Sequence, residues 1–170
     1  MRSCPNDRLD PGPLTRAFGE NFFMLKMVRR LCVFALVAAV AAACSRHDEV
    51  ANSIFDDFKK SDRRSVDLDR ALPQPWKRVC MLGPYTGNSM THATLGFKWN
   101  SQEFSDVWDN EGITLLVFVA ADEKVAFFTD YPRSSGDFSN LTRQCFDRSN
   151  ARFEQVAKPP KGRSGLYPVK

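Results

Sequence analysis

Histidine is nearly absent from this chain: His47 and His92 are the only two among 170 residues. Neither stands at ligand spacing from Cys80 or Cys145, which argues against a metal site in the folded part. A nucleophile system would have to be built on His92, with Ser89, Thr91 and Thr94 beside it. That chemistry needs a base within hydrogen-bond reach of the nucleophile and a third group to orient the base. Neighbours in sequence do not supply such geometry, so His92 reads as an exposed residue of a polar loop. Glycine is thin as well: Gly83, Gly87 and Gly96 are spread through turns instead of forming a phosphate-cradling loop. No cofactor is implied, and no internal repeat is visible. Nor does any apolar run reach the roughly 20 residues that a helix needs to cross a ~30 Å hydrocarbon core.

The longest apolar run is LCVFALVAAVAAA, the 13 residues Leu31–Ala43, which follows Lys26, Arg29 and Arg30 and stops at Cys44. A basic start, an apolar core of roughly 7–15 residues and small residues at the end are the three parts of a secretory signal, in order. The polar stretch Ser45-Arg46-His47-Asp48-Glu49 prevents the apolar run from being extended into a comfortable span; a tilted or thinly anchored span is the alternative. Residues 1–23 fit neither reading. Asp7, Asp10, Glu20, Pro5, Pro11 and Pro13 make a poor basic leader, and Met24 and Met27 stand just before the basic residues. Translation starting at one of them would make residues 24–43 the signal and residues 1–23 a leader of doubtful translation.

The segment Ala41-Ala42-Ala43-Cys44 is similar to the lipobox of bacterial lipoproteins, with small residues before an obligatory cysteine. That family usually has Leu where Ala41 stands. The resemblance covers only the processing segment and implies that the Cys44 thiol takes a diacylglyceryl group, that cleavage occurs before it, and that its freed amine is acylated. The alternative is an ordinary signal cut after Ala43, with Cys44 a bystander. In Gram-negative lipoproteins an Asp after the cysteine commonly retains the protein in the inner membrane. Ser45 at this position implies transfer to the outer membrane, with the domain facing the periplasm and the membrane lipid as its first partner. The segments WKRVCMLGPY, LGFKW, DYPRSSGDF and QCFDR also resemble small uncharacterised lipoproteins of Gram-negative bacteria, a likeness that bears on location and carries no activity.

Charge is read after removing residues 1–43, which hold 6 of the 24 Lys and Arg but only 3 of the 20 Asp and Glu, leaving 18 minus 17, or +1. The remaining 127 residues therefore show no nucleic-acid footprint. They are one domain's worth of sequence, long enough to bury a core. Of the five cysteines, Cys4 lies upstream, Cys32 in the signal core and Cys44 at the lipid site. Cys80 and Cys145 are left. In an oxidising envelope compartment they most simply pair with each other; two buried free thiols are the alternative.

Along the mature chain, Val50, Ile54, Phe55 and Phe58 at helical spacing predict a short amphipathic helix over about 48–60. Its apolar stripe is expected to dock on the domain, with the lipid surface as the other option. Lys59 to Pro75 reads as a tether, so residues 44–75 are expected to form a lipidated linker with one short helix. The folded domain is expected at 76–158. Within it, 76–82 reads as a strand, 90–97 as a short helix capped by Asn88 or Ser89 and closed by Gly96, and 101–112 as an acidic loop anchored by Phe104, Val107 and Trp108. Ile113–Val119 and Val125–Thr129 form a β-hairpin whose continuous apolar content in both arms implies central strands covered on both faces, or covered on one face and partly by a helix. A short helical segment at 137–144 leads to Cys145 and Phe146, 151–157 is the last strand, and 159–170 is a flexible tail. The fold class expected is α+β: a small, mainly antiparallel sheet of about four strands with short helices.

Two functional classes stay open. One is a non-enzymatic envelope component that binds another protein, peptidoglycan or lipid through exposed aromatic loop residues, with Tyr85, Trp99 and Trp108 as the candidates. The other is a small periplasmic hydrolase, or an inhibitor of one, using Asp130, Arg133 and Asp137. The first is the preferred expectation, and no catalytic residue is assigned.

Overall fold

The structure is a computed structural model that describes residues 48–159 and 162–169. Cys44, the signal at 24–43 and the leader at 1–23 lie outside the described residues. Two antiparallel sheets and a few short helices make an α+β fold. The first sheet has four strands in the order β4-β3-β2-β5, namely Val125–Pro132, Ile113–Val119, Arg78–Leu82 and Cys145–Asp147. The second has three, in the order β1-β6-β7: Ser65–Asp67, Arg152–Val156 and Gly165–Pro168. Helix α1 covers 48–60, α2 is Leu68–Ala71 and α3 is Asn88–Leu95.

The expected hairpin is β3–β4, and its apolar continuity has the cause inferred for it. Side chains alternate between sheet faces with period two. Leu116 and Phe118, together with Val79 and Met81 of β2, enter one core with Ile54, Val66, Leu68, Phe153 and Leu166. Leu115, Val117 and Val119, with Cys80 and Leu82, enter a second core beneath Leu95 and Val107. Both faces of β3 are therefore dry, whereas β4, expected as a second covered central strand, is an edge strand in which only Thr129 and Tyr131 are buried. The second arm runs past the expected end at Thr129 to Pro132. Because β4 is an edge strand, a missing N–H at its end breaks no ladder.

Three expectations are corrected. Residues 59–75 do not form a tether, since Val66, Leu68 and Leu72 are almost fully buried and β1 pairs with β6 over Ser65↔Glu154 and Asp67↔Arg152. Apolar residues are sparse in this segment, but the few present are all used, because β6 and α1 supply the remaining walls. Asp67 caps α2 by accepting from the backbone N–H groups of Asp69 (3.1 Å) and Arg70 (3.3 Å). Residues 159–170 are not all tail: β7 pairs with β6, placing Tyr167 opposite Glu154. A Cβ on Gly165 would lie 2.9 Å from the backbone oxygen of Asp137, so this strand approaches the 137–140 turn at a distance only glycine permits. The folded unit accordingly begins by residue 48 and not at 76, and 151–157 holds the middle strand of the second sheet, not the last strand.

Helix α1 docks on the domain through Val50, Ile54 and Phe58, all 5 % exposed or less. Asp57 lies on the same buried face. Its carboxylate accepts from Arg70 Nε (2.7 Å) and Nη2 (2.9 Å) and from the backbone N–H of Asp67 (3.0 Å), which explains how a charge is tolerated there. Burial pushes this carboxyl up, yet the Arg70 and Asp67 hydrogen bonds and the nearby Arg70 and Lys60 charges together outweigh it and hold the pKa below the usual 3.8. Cys80 and Cys145 face each other across β2 and β5, with sulfur atoms bonded at 1.96 Å.

Candidate functional site

The loop over 97–112 covers one face of the four-stranded sheet, and its few inward side chains decide which aromatics are left outside. Val107 is fully buried among Leu95, Leu115 and Val117. Ser105 donates through Oγ to Asp130 Oδ1 (2.5 Å) and accepts from the N–H of Val107 (3.1 Å). Ser101 and Thr91 share a buried hydroxyl contact of 2.7 Å, fastening the loop to α3. Asn88, expected as the α3 cap, instead accepts from Ser101 Oγ (3.3 Å) and Gln102 N–H (3.2 Å), and Gly87 occupies the cap position. Gly96 closes the helix at φ 82°.

With Val107 turned inward, its neighbours turn outward. Tyr85 is 58 % exposed, Phe104 52 % and Trp108 39 %, three of the four large exposed hydrophobics among the described residues. The backbone N–H of Tyr85 binds the carbonyl of Val107 at 2.8 Å, so the Tyr85 turn is joined to this loop. Trp99 is half-buried. Its ring stacks on Phe104 at 5.6 Å and 3° between planes, and both lean on Phe128 at 5.2 and 5.8 Å. Phe104 was expected as an inward anchor; only Val107 fills that role, because the stacked pair rests on Phe128 from outside the sheet. Residues 97–112 carry Glu103, Asp106, Asp109 and Glu111 against the single exposed Lys98, so the loop is net acidic. The Tyr85 hydroxyl donates to Glu111, and this bond, with some burial and the Glu111 charge, raises the phenol pKa and keeps it protonated.

The groups considered for hydrolysis are not gathered at one point. Asp130 accepts from Ser105 and from the N–H of Asp106 (3.3 Å), so it serves the 97–112 loop. Asp137 is held by Arg133 through two bonds, Nε–Oδ1 at 3.1 Å and Nη2–Oδ2 at 2.9 Å, and accepts from Ser139 N–H at 2.8 Å. Burial pushes Asp137 up, but Arg133 and Ser139 hold it below the usual carboxylate range. Arg133 also donates to the Glu111 carbonyl at 3.0 Å. His92 is not an exposed loop residue: it sits half-buried on α3, and its Nε2 is enclosed without a hydrogen-bond partner among the described residues. Of the three expected surface aromatics, Trp99 stacks with Phe104 over Phe128, while Tyr85 and Trp108 are exposed on the same loop system without a ring contact to that pair among the described residues. No sequence signal separated Phe104 from Val107, since both are large apolar residues in a polar stretch.

No protein-family model matches this chain, and neither the curated proteins nor the solved structures provide a match.

Proposed function

We propose that this chain is a lipid-anchored lipoprotein of the bacterial envelope, acylated at Cys44 and placed in the outer membrane facing the periplasm, whose folded domain acts as a non-enzymatic binding component. The observation that carries the reading is the exposure of Tyr85, Phe104 and Trp108 on one loop system of a domain that otherwise buries its large apolar side chains. Aromatic side chains bury large area at low entropy cost and are enriched among the residues that dominate protein interfaces. An envelope protein is the favoured partner, and peptidoglycan the other candidate. Only Ser45, Arg46 and His47 separate Cys44 from the described helix α1, and three residues span at most about 10 Å even when fully extended. The partner is therefore one reachable at the membrane surface; the expected long linker is replaced by a domain held close to lipid.

Intact-mass analysis of the purified protein tests the anchor. The expected mature chain begins at Cys44 with added acyl mass, and Cys44→Ser loses both; a different first residue or no acyl mass overturns it. A photoreactive residue at position 104 or 108 in cells tests the surface. A single envelope protein should be crosslinked from these positions and not from an exposed α1 position such as Asn52. Equal labelling from all three positions would refute the assignment of the aromatic loop.

A further inference from the structure

Away from the aromatic surface, an open cavity of about 320 Å³ lies where α1, the end of β4 and the second sheet meet. Phe58 and Arg63 line it from α1 and the turn after it, Arg133 and Ser134 from the end of β4, Gln155 from β6, and Ser164 from the approach to β7. This volume falls at the lower end of the range for small-ligand sites.

The charges around the cavity do not cancel. Arg133 is committed to Asp137 and to the Glu111 carbonyl, and Asp137 to Arg133 and Ser139. Arg63 has no carboxylate partner among the described residues; its guanidinium stands 5.5 Å over the Phe55 ring. Its charge reaches the Tyr131 phenol, where it opposes the strong upward push of burial. Two guanidiniums and one carboxylate leave the cavity with a net charge of +1. The hydroxyls of Ser134 and Ser164 and the side-chain amide of Gln155 make no hydrogen bond among the described residues; like Arg63 they are exposed, and a ligand would take them from water.

The backbone holds Arg63 in this place at a cost. Asp62 and Arg63 adopt φ 54° and 57° in succession, a left-handed conformation that non-glycine residues adopt reluctantly. The turn is held by Asp62 N–H to the Lys59 carbonyl (3.0 Å), Arg63 N–H to the Phe58 carbonyl (2.9 Å) and Ser61 Oγ to the Ser65 carbonyl (2.5 Å). Asp62 and Arg64 point their charges at each other at 3.5 Å, so Arg63 is the cation of this turn left for the cavity.

We propose that this cavity binds the carboxylate of a small ligand, with Arg63 as its counter-ion, Ser134 and Ser164 donating to its oxygens, and Phe58 covering its aliphatic part. A monoanion neutralises the net +1, whereas a phosphate dianion overcharges it and stands near the Asp137 carboxylate; the charge balance therefore selects a carboxylate. The same chemistry is presented by a peptide C-terminus and by a free carboxylic acid.

Isothermal titration of the full chain in detergent tests this with three probes: acetyl-alanyl-alanine, its C-terminal amide, and propionate. Acetyl-alanyl-alanine should bind and the amide should not. Propionate binding as tightly as the peptide identifies a free acid as the ligand type, and weaker binding identifies a peptide terminus. Arg63→Ala should weaken binding by about fivefold, the upper scale of losing one ion pair at an exposed site. Arg63→Lys should retain part of it and Arg64→Ala all of it, while the melting temperatures of the variants show that they remain folded. Equal binding of acid and amide, an Arg63→Ala protein that binds like the wild type, no heat at millimolar acid, or tighter binding of inorganic phosphate overturns the proposal.

Discussion

Replacing Ile54 by alanine separates a docked helix from a tether. Ile54 is fully buried, between Val50 and Phe58 on the same face of α1, while Asn52 and Ser53 on the same helix are exposed. The substitution removes three methyl-scale groups from a core that also contains Leu68, Phe118 and Phe153. The loss combines the transfer of those groups with the cavity left behind, and for Ile→Ala at such a site it amounts to about 3 kcal/mol. For a domain of this size the melting temperature should drop by about 10 °C. Urea denaturation of the disulfide-intact protein, read by near-UV circular dichroism, gives the free-energy difference directly, with Asn52→Ala as the exposed control, expected within about 0.5 kcal/mol of wild type. If Ile54→Ala shifts the midpoint no more than Asn52→Ala does, α1 contributes nothing to the fold. The folded unit then starts after α1, at β1.

Three further outcomes are expected. Non-reducing and reducing peptide maps should differ by one linked pair, Cys80 with Cys145; reduction, which opens a loop of 65 residues, should cost about 4 kcal/mol in the chain-entropy model, and two free thiols in protein extracted under alkylation would contradict the bond. Asp57→Asn should destabilise by about 2 kcal/mol at neutral pH, because the charge-assisted bonds from Arg70 and Asp67 are weakened. Since the folded pKa of Asp57 lies below 3.8, its stabilisation is fully present above the ordinary carboxylate range and is lost as pH falls through the lower, folded value. The gap between wild type and variant should thus stay constant from about pH 5 to 7 and narrow below about pH 4; a gap that widens on acidification reverses the sign. Phe104→Ala and Trp108→Ala should leave stability within about 1 kcal/mol of wild type while abolishing partner crosslinking, and separation of the membranes on a density gradient should place the wild-type protein in the outer-membrane fraction.

What the sequence determined by itself is what short-range periodicity and elimination can carry. The spacing of Val50, Ile54 and Phe58 marked α1, the β-branched and aromatic runs flanking Ala121–Lys124 marked the hairpin, and lack of alternation marked burial on both faces correctly for β3 but not for the edge strand β4. Counting cysteines left Cys80 and Cys145 for each other. Tertiary structure alone decided the second sheet, because β1 and β7 have three and four residues and hold together only by pairing with β6, through contacts such as Ser65↔Glu154 and Val156↔Gly165. A strand that short has no pattern of its own; its hydrogen bonds belong to a partner nearly ninety residues away in the case of β1. The same reason governs the two surfaces. Whether Val107 or Phe104 turns inward depends on where Asp130 anchors Ser105, and it is Arg133 that takes Asp137 while Arg63 lies over the Phe55 ring. Those are competitions among side chains from separate elements, and they are resolved only when the elements pack.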